Sequence, residues 1–280
     1  MSDITIGKED FLKFREFFYR KTGIQFDDSK RYFVDRRLID RIEATDSGNF
    51  RNYFMMLRFE ASGDEIQTLT NVMTVNETYF FREEYQFKCL VNSILPEITK
   101  GKKDKSPIRI WSMPSSSGEE PYSIAMYLLE YWSGINEWDV EIISSDIDTT
   151  ILNQARRGLY SARSVQNLPK ALLSKYFTGK GAEYQICEDL KQAVEFTRVN
   201  LMNAADVRGY RGFDVIFCRN LLIYFDDLSR RQAADTFYDA LHPGGFLCLG
   251  HSESMSRISS LYKACKFSDS VVYQKSKEAR

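Results

Sequence analysis

The hydrophobic pattern of the chain changes character at Pro107. Before it, apolar positions recur at helical spacing. Phe11, Leu12, Phe14, Phe17 and Phe18 mark a first helix that Gly23 ends. Asp28 or Ser29 can cap a second helix running to about Ala44. A third spans roughly Phe50 to Glu60 and stops at Ser62-Gly63, a fourth covers Glu65 to about Met73, and a fifth Glu83 to about Thr99. The lysine-rich run Gly101-Lys-Lys-Asp-Lys-Ser-Pro107 then reads as a solvated boundary.

After Pro107, short apolar runs alternate with helical patterns. Strands are predicted at Ile108–Trp111, Val140–Ser144, Val194–Val199, Asp214–Cys218 and Phe246–Leu249, with a final pair at Tyr262–Phe267 and Val271–Gln274. Helices are predicted at Glu119–Trp132, Thr149–Arg157 and Ser229–Leu241. The alternation implies an α/β fold, with a doubly wound, mostly parallel sheet and an antiparallel terminal hairpin turning at Ser268-Asp269. Residues 160–194 break the rhythm and read as a small inserted β-subdomain. The expected organisation is an all-helical N-terminal domain (1–82), a linking helix with charged linker (83–106) and a sheet domain (107–275).

Composition narrows the function classes. A chain that is 43% hydrophobic and 28% charged is globular. No apolar run approaches the ~20 residues of a membrane span, and the charged start (Asp3, Lys8, Glu9, Asp10) is unlike a signal peptide, so a cytoplasmic location is expected. Five cysteines without CxxC spacing read as reduced thiols. With only His242 and His251 beside them, no metal is expected. A net charge of −1 argues against nucleic acid as a partner.

In a doubly wound sheet, ligands sit beyond the carboxyl ends of the strands. The first strand runs into a small-residue loop, Ser112–Gly118, and then a helix with Pro121 in its first turn. The loop has one glycine, and Glu119 and Glu120 stand where a pyrophosphate would want bare N–H groups. A cationic cofactor without phosphates, such as S-adenosylmethionine, fits better; the plain alternative is an ordinary strand–helix connection. The second strand presents Asp146, placed for ribose hydroxyls, with Asp148 as the next helix's N-cap. The third presents Asn200-Leu201. The fourth presents Arg219-Asn220-Leu221, followed by Ile223-Tyr224-Phe225. Ahead of the fifth helix, Tyr79, Phe80 and Phe81 read as core residues, and Arg82 reads either as a surface arginine at a helix start or as a guanidinium aimed into the interdomain cleft.

These motifs together resemble a known family. Asn76-Glu-Thr-Tyr-Phe-Phe-Arg82, Ser117-Gly-Glu-Glu-Pro-Tyr-Ser123, Ser145-Asp-Ile-Asp148, Phe213-Asp-Val-Ile-Phe-Cys-Arg-Asn220 with Ile223-Tyr-Phe225, and Gly250-His-Ser-Glu253 are similar to those of the chemotaxis receptor methyltransferases of CheR type. The resemblance covers nearly the whole chain. It implies an S-adenosylmethionine-dependent protein-glutamate O-methyltransferase that leaves S-adenosylhomocysteine and acts on the cytoplasmic domains of methyl-accepting chemoreceptors. It also implies cofactor contacts from Asn76, Thr78, Arg82, Glu120, Asp146, Asn200, Leu201, Asn220 and Leu221. Arg82 and Tyr224 resemble the pair beside the transferred methyl and the substrate carboxylate. The chain departs from the family's Ala/Gly-rich stretch by Met113-Pro114-Ser115, so the methionine moiety is expected to be held differently. Its turn at Gly179-Lys-Gly181 is shorter than in members that grip a receptor's C-terminal pentapeptide, which implies that no such tether is used.

One surface feature bears on recognition. Lys30, Arg37 and Arg41 fall at i, i+7 and i+11 of the second helix, on one narrow stripe. They read either as a docking face for an acidic receptor or as a solvated face balanced by Asp35, Asp40 and Glu43. Two rival functions stand beside the main one: a non-catalytic, cofactor-binding module that docks on receptors, and a methyltransferase for a different acceptor.

Overall fold

A run of apolar residues at helical spacing starts the architecture. The computed structural model describes residues 4–277. Helix α1 (Lys8–Thr22) buries Phe11, Phe14 and Phe18, and ends where Gly23 takes φ 74° and returns its N–H to the Tyr19 carbonyl. Asp27, one residue before the expected cap, accepts the Ser29 N–H and starts a 3-10 turn over Asp28–Lys30. Lys30 therefore precedes α2 (Arg31–Ala44) instead of lying in it. Helices α3 (Phe50–Phe59) and α4 (Asp64–Met73) close a core of Phe14, Phe18, Leu38, Tyr53, Leu57 and Leu69.

The fifth predicted helix is a continuous rod: α5 (Tyr85–Cys89), a π-turn over Leu90–Ile94, and α6 (Leu95–Gly101). Its buried residues Phe87, Leu90 and Ile94 join the core of the sheet domain, so the rod is one of the layers packed on the sheet. The lysine run after it is less solvated than expected. Lys102 reaches Asp214 at 2.6 Å, with both side chains about nine-tenths buried, and pins the rod to the sheet.

The sheet domain alternates as the sequence implies: β1 (Ile108–Ser112), α7 (Glu119–Tyr131), β2 (Val140–Asp146) and α8 (Thr149–Arg157). The insertion follows as β3 (Leu159–Ser161), α9 (Ala162–Val165), α10 (Lys170–Tyr176), β4 (Phe177–Lys180), β5 (Glu183–Ile186) and α11 (Glu188–Gln192). Then come β6 (Val194–Arg198), α12 (Ala204–Val207), β7 (Phe213–Cys218), α13 (Asp227–Ala240), β8 (Leu241–Leu249), β9 (Tyr262–Lys266) and β10 (Val271–Lys275). The strand order is β6-β2-β1-β7-β8-β10-β9, parallel except that β10 runs antiparallel to β8 and β9. Strand alternation divides the core between the faces: Val215 and Phe217 of β7 enter one cluster, Ile216 and Cys218 the other. All six residues of β7 are buried, as a central parallel strand requires.

The inserted strands form an antiparallel sheet, β3-β5-β4. Phe80 docks on it edge-on, with ring centroids 4.7 Å from Tyr160 and 5.2 Å from Phe177. Phe80 and Phe81 are core residues as expected, but of the sheet domain; Tyr79 is only half-buried and faces the interdomain cavity. The helical domain lies over the carboxyl ends of the strands. There Ile24 bridges Phe225, the Gln25 N–H donates to the Tyr224 carbonyl at 3.2 Å, and Gln67 donates to the Ile147 carbonyl at 2.8 Å. Among the described residues no helix is long and apolar enough to cross a membrane.

Candidate active site

The carboxyl ends of β1, β2 and β7 and the underside of the helical domain enclose a cavity of about 560 Å³. That lies within the range of roughly 300–1,000 Å³ typical of small-molecule sites. Asp146, at the end of β2, is buried with one carboxylate oxygen on the Ser116 N–H (2.8 Å) and the other on the Asp148 N–H (3.0 Å). A carboxylate offers about four acceptor sites, so these bonds leave capacity unused, and Asp146 lines the cavity. Burial pushes the group up to about 6, against the pull of these N–H donors. Asp148 caps α8 as expected, accepting the Thr150 and Ile151 N–H groups. Its other oxygen takes Thr74 (2.7 Å) and Asn76 (3.1 Å), which fixes the interdomain segment that brings Asn76 and Thr78 to the cavity.

Glu120 also lines the cavity, but it is not the bare carboxylate the sequence suggests. One oxygen accepts from Ser112 and the other from Arg219, each at 2.9 Å. Burial raises Glu120, and Arg219 opposes the rise. Arg219 also lies 3.5 Å from Glu83 and donates to the Arg82 carbonyl. Burial works to raise Glu83 too, yet Arg219 and His251 hold it below its ordinary range. Arg219 is thus a buried hub joining the β7 end to the Arg82 turn. Among the described residues its Nε has no partner, nor has the buried Ser116 Oγ.

Asn220 takes a left-handed φ of 59°. Glu253 maintains it, accepting the N–H groups of Asn220 (2.9 Å), Leu222 (2.8 Å) and Gly250 (2.9 Å). Ser116 of the same lining also has a positive φ, and Phe81 and Glu83, which flank the lining residue Arg82, do as well. Backbone strain gathered in this way is characteristic of functional sites. Pro114 lines the cavity behind a cis Met113-Pro114 bond.

Arg82 and Tyr224 border the mouth together. Arg82 donates to the Glu77 carbonyl at 2.8 Å, and its guanidinium lies 5.8 Å from the Tyr79 ring centroid. Burial raises Tyr224, and the positive charge of Arg82 counteracts it. Asn220 and Leu221 line the same cavity, whereas Asn200 and Leu201 do not. The Asn200 amide donates to the Lys21 carbonyl at 2.7 Å, tying α1 to the end of β6, and Leu201 is core. The basic stripe is also largely committed elsewhere. Arg41 makes a two-pronged pair with Glu65 (2.9 and 2.6 Å), while Arg37 donates to the Val72 carbonyl and stacks 3.5 Å from the Phe33 ring centroid. Lys30 alone of the three reaches the cavity lining.

Residues 9–74 match the family model described as the all-alpha domain of CheR methyltransferases, and residues 76–271 match the SAM-binding domain of the same enzymes. The chain belongs to the CheR methyltransferase family. It is 55% identical to chemotaxis protein methyltransferase 2 of Vibrio cholerae serotype O1 over 98% of this chain and 96% of that protein. It is 36% identical to the chemotaxis protein methyltransferase of Borreliella burgdorferi over 90% of each chain. With that of Salmonella typhimurium it shares 34% identity over 91% of this chain and 87% of the other. The protein is therefore an S-adenosylmethionine-dependent methyltransferase. The residues fit that cofactor: a carboxylate with unused acceptor sites at a strand end, an orphaned hydroxyl on Ser116, and no phosphate cradle.

Sequence reasoning passed over Glu83 and did not assign Arg219 or Glu253 a role. Both of the latter lie inside motifs that the sequence displays, and their partners in the fold show that they hold the loops.

Proposed function

We propose that this CheR-family enzyme methylates glutamate side chains on the cytoplasmic helices of chemoreceptors, in the cytoplasm, giving glutamate methyl esters. The observation that carries the reading is the placement of Arg82 and Tyr224 at the mouth of a cavity whose floor is the Asp146 carboxylate. When bound, S-adenosylmethionine supplies a methyl group already activated by a sulfonium. Asp146 would accept hydrogen bonds from the ribose hydroxyls, Asn76, Thr78, Asn220 and Leu221 would enclose the nucleoside, and Glu120, partly neutralised by Arg219, would orient the ammonium.

The acceptor needs no general base. A free glutamate side chain titrates at about pH 4.3 and is ionised at neutral pH. Arg82 exchanges its bond to the Glu77 carbonyl for a charge-assisted bond to that carboxylate. Tyr224, raised by burial, stays protonated and donates from its hydroxyl. Methyl transfer to the carboxylate oxygen would leave a neutral thioether, so Arg82 and Tyr224 would hold the carboxylate without taking or giving up a proton. Catalysis is then positioning and exclusion of water, which together can supply about 7–11 kcal/mol.

The receptor approaches over the Lys30 edge of the stripe, since Arg37 and Arg41 are engaged inside the helical domain. The insertion's hairpin pairs Lys180 with Glu183 around a two-residue turn, and we propose no C-terminal pentapeptide tether and no nucleic-acid partner. Radiolabelled methyl transfer to receptor fragments tests the activity. Micromolar binding of a free receptor C-terminal pentapeptide would remove the tether statement alone.

A further inference from the structure

A second hollow, of about 650 Å³, adjoins the cofactor cleft, and Ile223 lines both. Its walls are Leu222-Ile223, the start of α13 and the segment 251–258. Three arginines line it in a chain whose net charge is −1: Arg230, Arg231 and Arg257; the exposed His251 beside them is turned to Glu83 at 3.1 Å. The carboxylates in its lining offset only part of that charge and leave Arg231 and Arg257 unpaired. Asp227 pairs with Arg230 at 3.2 Å, and Glu253 accepts the N–H groups of Asn220, Leu222 and Gly250. The side chains of Arg231 and Arg257 are exposed and have no ion pair or hydrogen bond among the described residues.

Two unpaired guanidiniums around a concave surface call for an anion. Ile223 lines both cavities and directly precedes Tyr224, so the hollow adjoins the wall that carries the tyrosine. On a helix, residues three, four or seven positions apart share a face, one or two turns of about 5.4 Å from each other. A second acidic side chain of the same helix can therefore enter the hollow while the first sits at Arg82 and Tyr224.

We propose that the hollow is a specificity subsite that takes a second carboxylate of the receptor helix, one or two turns from the glutamate being methylated. The proposal rests on the receptor-methylation reading above. Its test uses the full chain and its Arg231→Glu/Arg257→Glu double variant, both positions being exposed and without partners. The substrates are a helical receptor fragment with acidic neighbours around the target glutamate, and the same fragment with those neighbours changed to glutamine. Methyl-transfer kinetics give KM and kcat, and calorimetry gives the S-adenosylhomocysteine Kd.

The double variant should raise KM for the acidic fragment about five- to tenfold, the scale of two exposed ion pairs lost and reversed. Its penalty should shrink to less than twofold on the glutamine fragment, and its Kd for S-adenosylhomocysteine should stay within twofold. An unchanged KM, or an equal penalty on both fragments, overturns the subsite while leaving receptor methylation standing. Inorganic phosphate competing with wild-type turnover, without dependence on the neighbouring carboxylates, overturns it in favour of a small-anion site. A wild-type enzyme that methylates no receptor fragment overturns the receptor reading itself, and the subsite with it.

Discussion

Asp146→Asn separates the electrostatic role of this residue from its structural one. Burial lifts the carboxyl from 3.8 to about 6, a disfavouring of the ionised form by about 3 kcal/mol at 1.36 kcal/mol per pH unit. Because the folded value lies above the unfolded one, the apoprotein gains stability from this group as pH falls from about 6 toward 4, and carries the full penalty above 6. Asparagine removes the penalty but leaves either the Ser116 or the Asp148 N–H without its acceptor, which costs about 1–3 kcal/mol. The two nearly cancel, so melting at pH 7 should change little. Binding should not cancel. Ribose hydroxyls lose a charged acceptor, and affinity for S-adenosylhomocysteine should fall by about 2–3 kcal/mol, or about 30- to 150-fold. The wild type carries its own control, because at pH 5 only about one-tenth of Asp146 is ionised, and its Kd should be about tenfold weaker than at pH 7. The variant should lack that slope apart from any contribution of Glu120. Calorimetry at pH 5, 6 and 7 decides the matter. A wild-type Kd that does not move with pH, or an asparagine variant within threefold of wild type, refutes the assignment.

At saturating cofactor, Arg82→Ala and Tyr224→Phe should each lower the single-turnover rate about 10- to 100-fold, the worth of one bond to a charged group; full activity in either variant excludes that residue from the chemistry. Glu253→Ala strands the N–H groups of Asn220, Leu222 and Gly250 and should cost about 2–4 kcal/mol, read as a melting temperature lower by roughly 4–12 °C. Arg41→Ala leaves Glu65 buried without its partner and should destabilise the helical domain by about 2–4 kcal/mol in urea unfolding. A stable variant with a raised KM for receptor would instead restore Arg41 to the docking face.

Where periodicity and caps act within a few residues, the sequence was informative. Gly23 and Asp148 end and start their helices through their own backbone and side-chain geometry. The short apolar runs of β1, β2 and β7 follow from burial on both faces of a parallel sheet. Asp146, Asn220 and Tyr224 were legible as strand-end residues because a doubly wound sheet leaves only its carboxyl edge for ligands. Lys102, Arg41 and Arg219 were not. Each looks like a solvated or ligand-facing cation, and each is claimed by a carboxylate 24 to 112 residues away. Asn200 was misleading for the same reason, its amide serving Lys21 across 179 residues. Pairings at that distance leave no trace in local pattern.

The bridge between Ile24 and Phe225, with the Gln25 N–H on the Tyr224 carbonyl, makes the tyrosine joint property of two domains. A hinge that widened the cleft to exchange nucleoside would have to break or drag that strand pairing, so admission of cofactor and displacement of the tyrosine become one motion. The open enzyme would be unarmed, and closure would restore both walls at once. The amide of Gln25 is the natural reporter: its hydrogen exchange should slow when S-adenosylhomocysteine binds, and an amide indifferent to ligand would mean that the two halves do not part there.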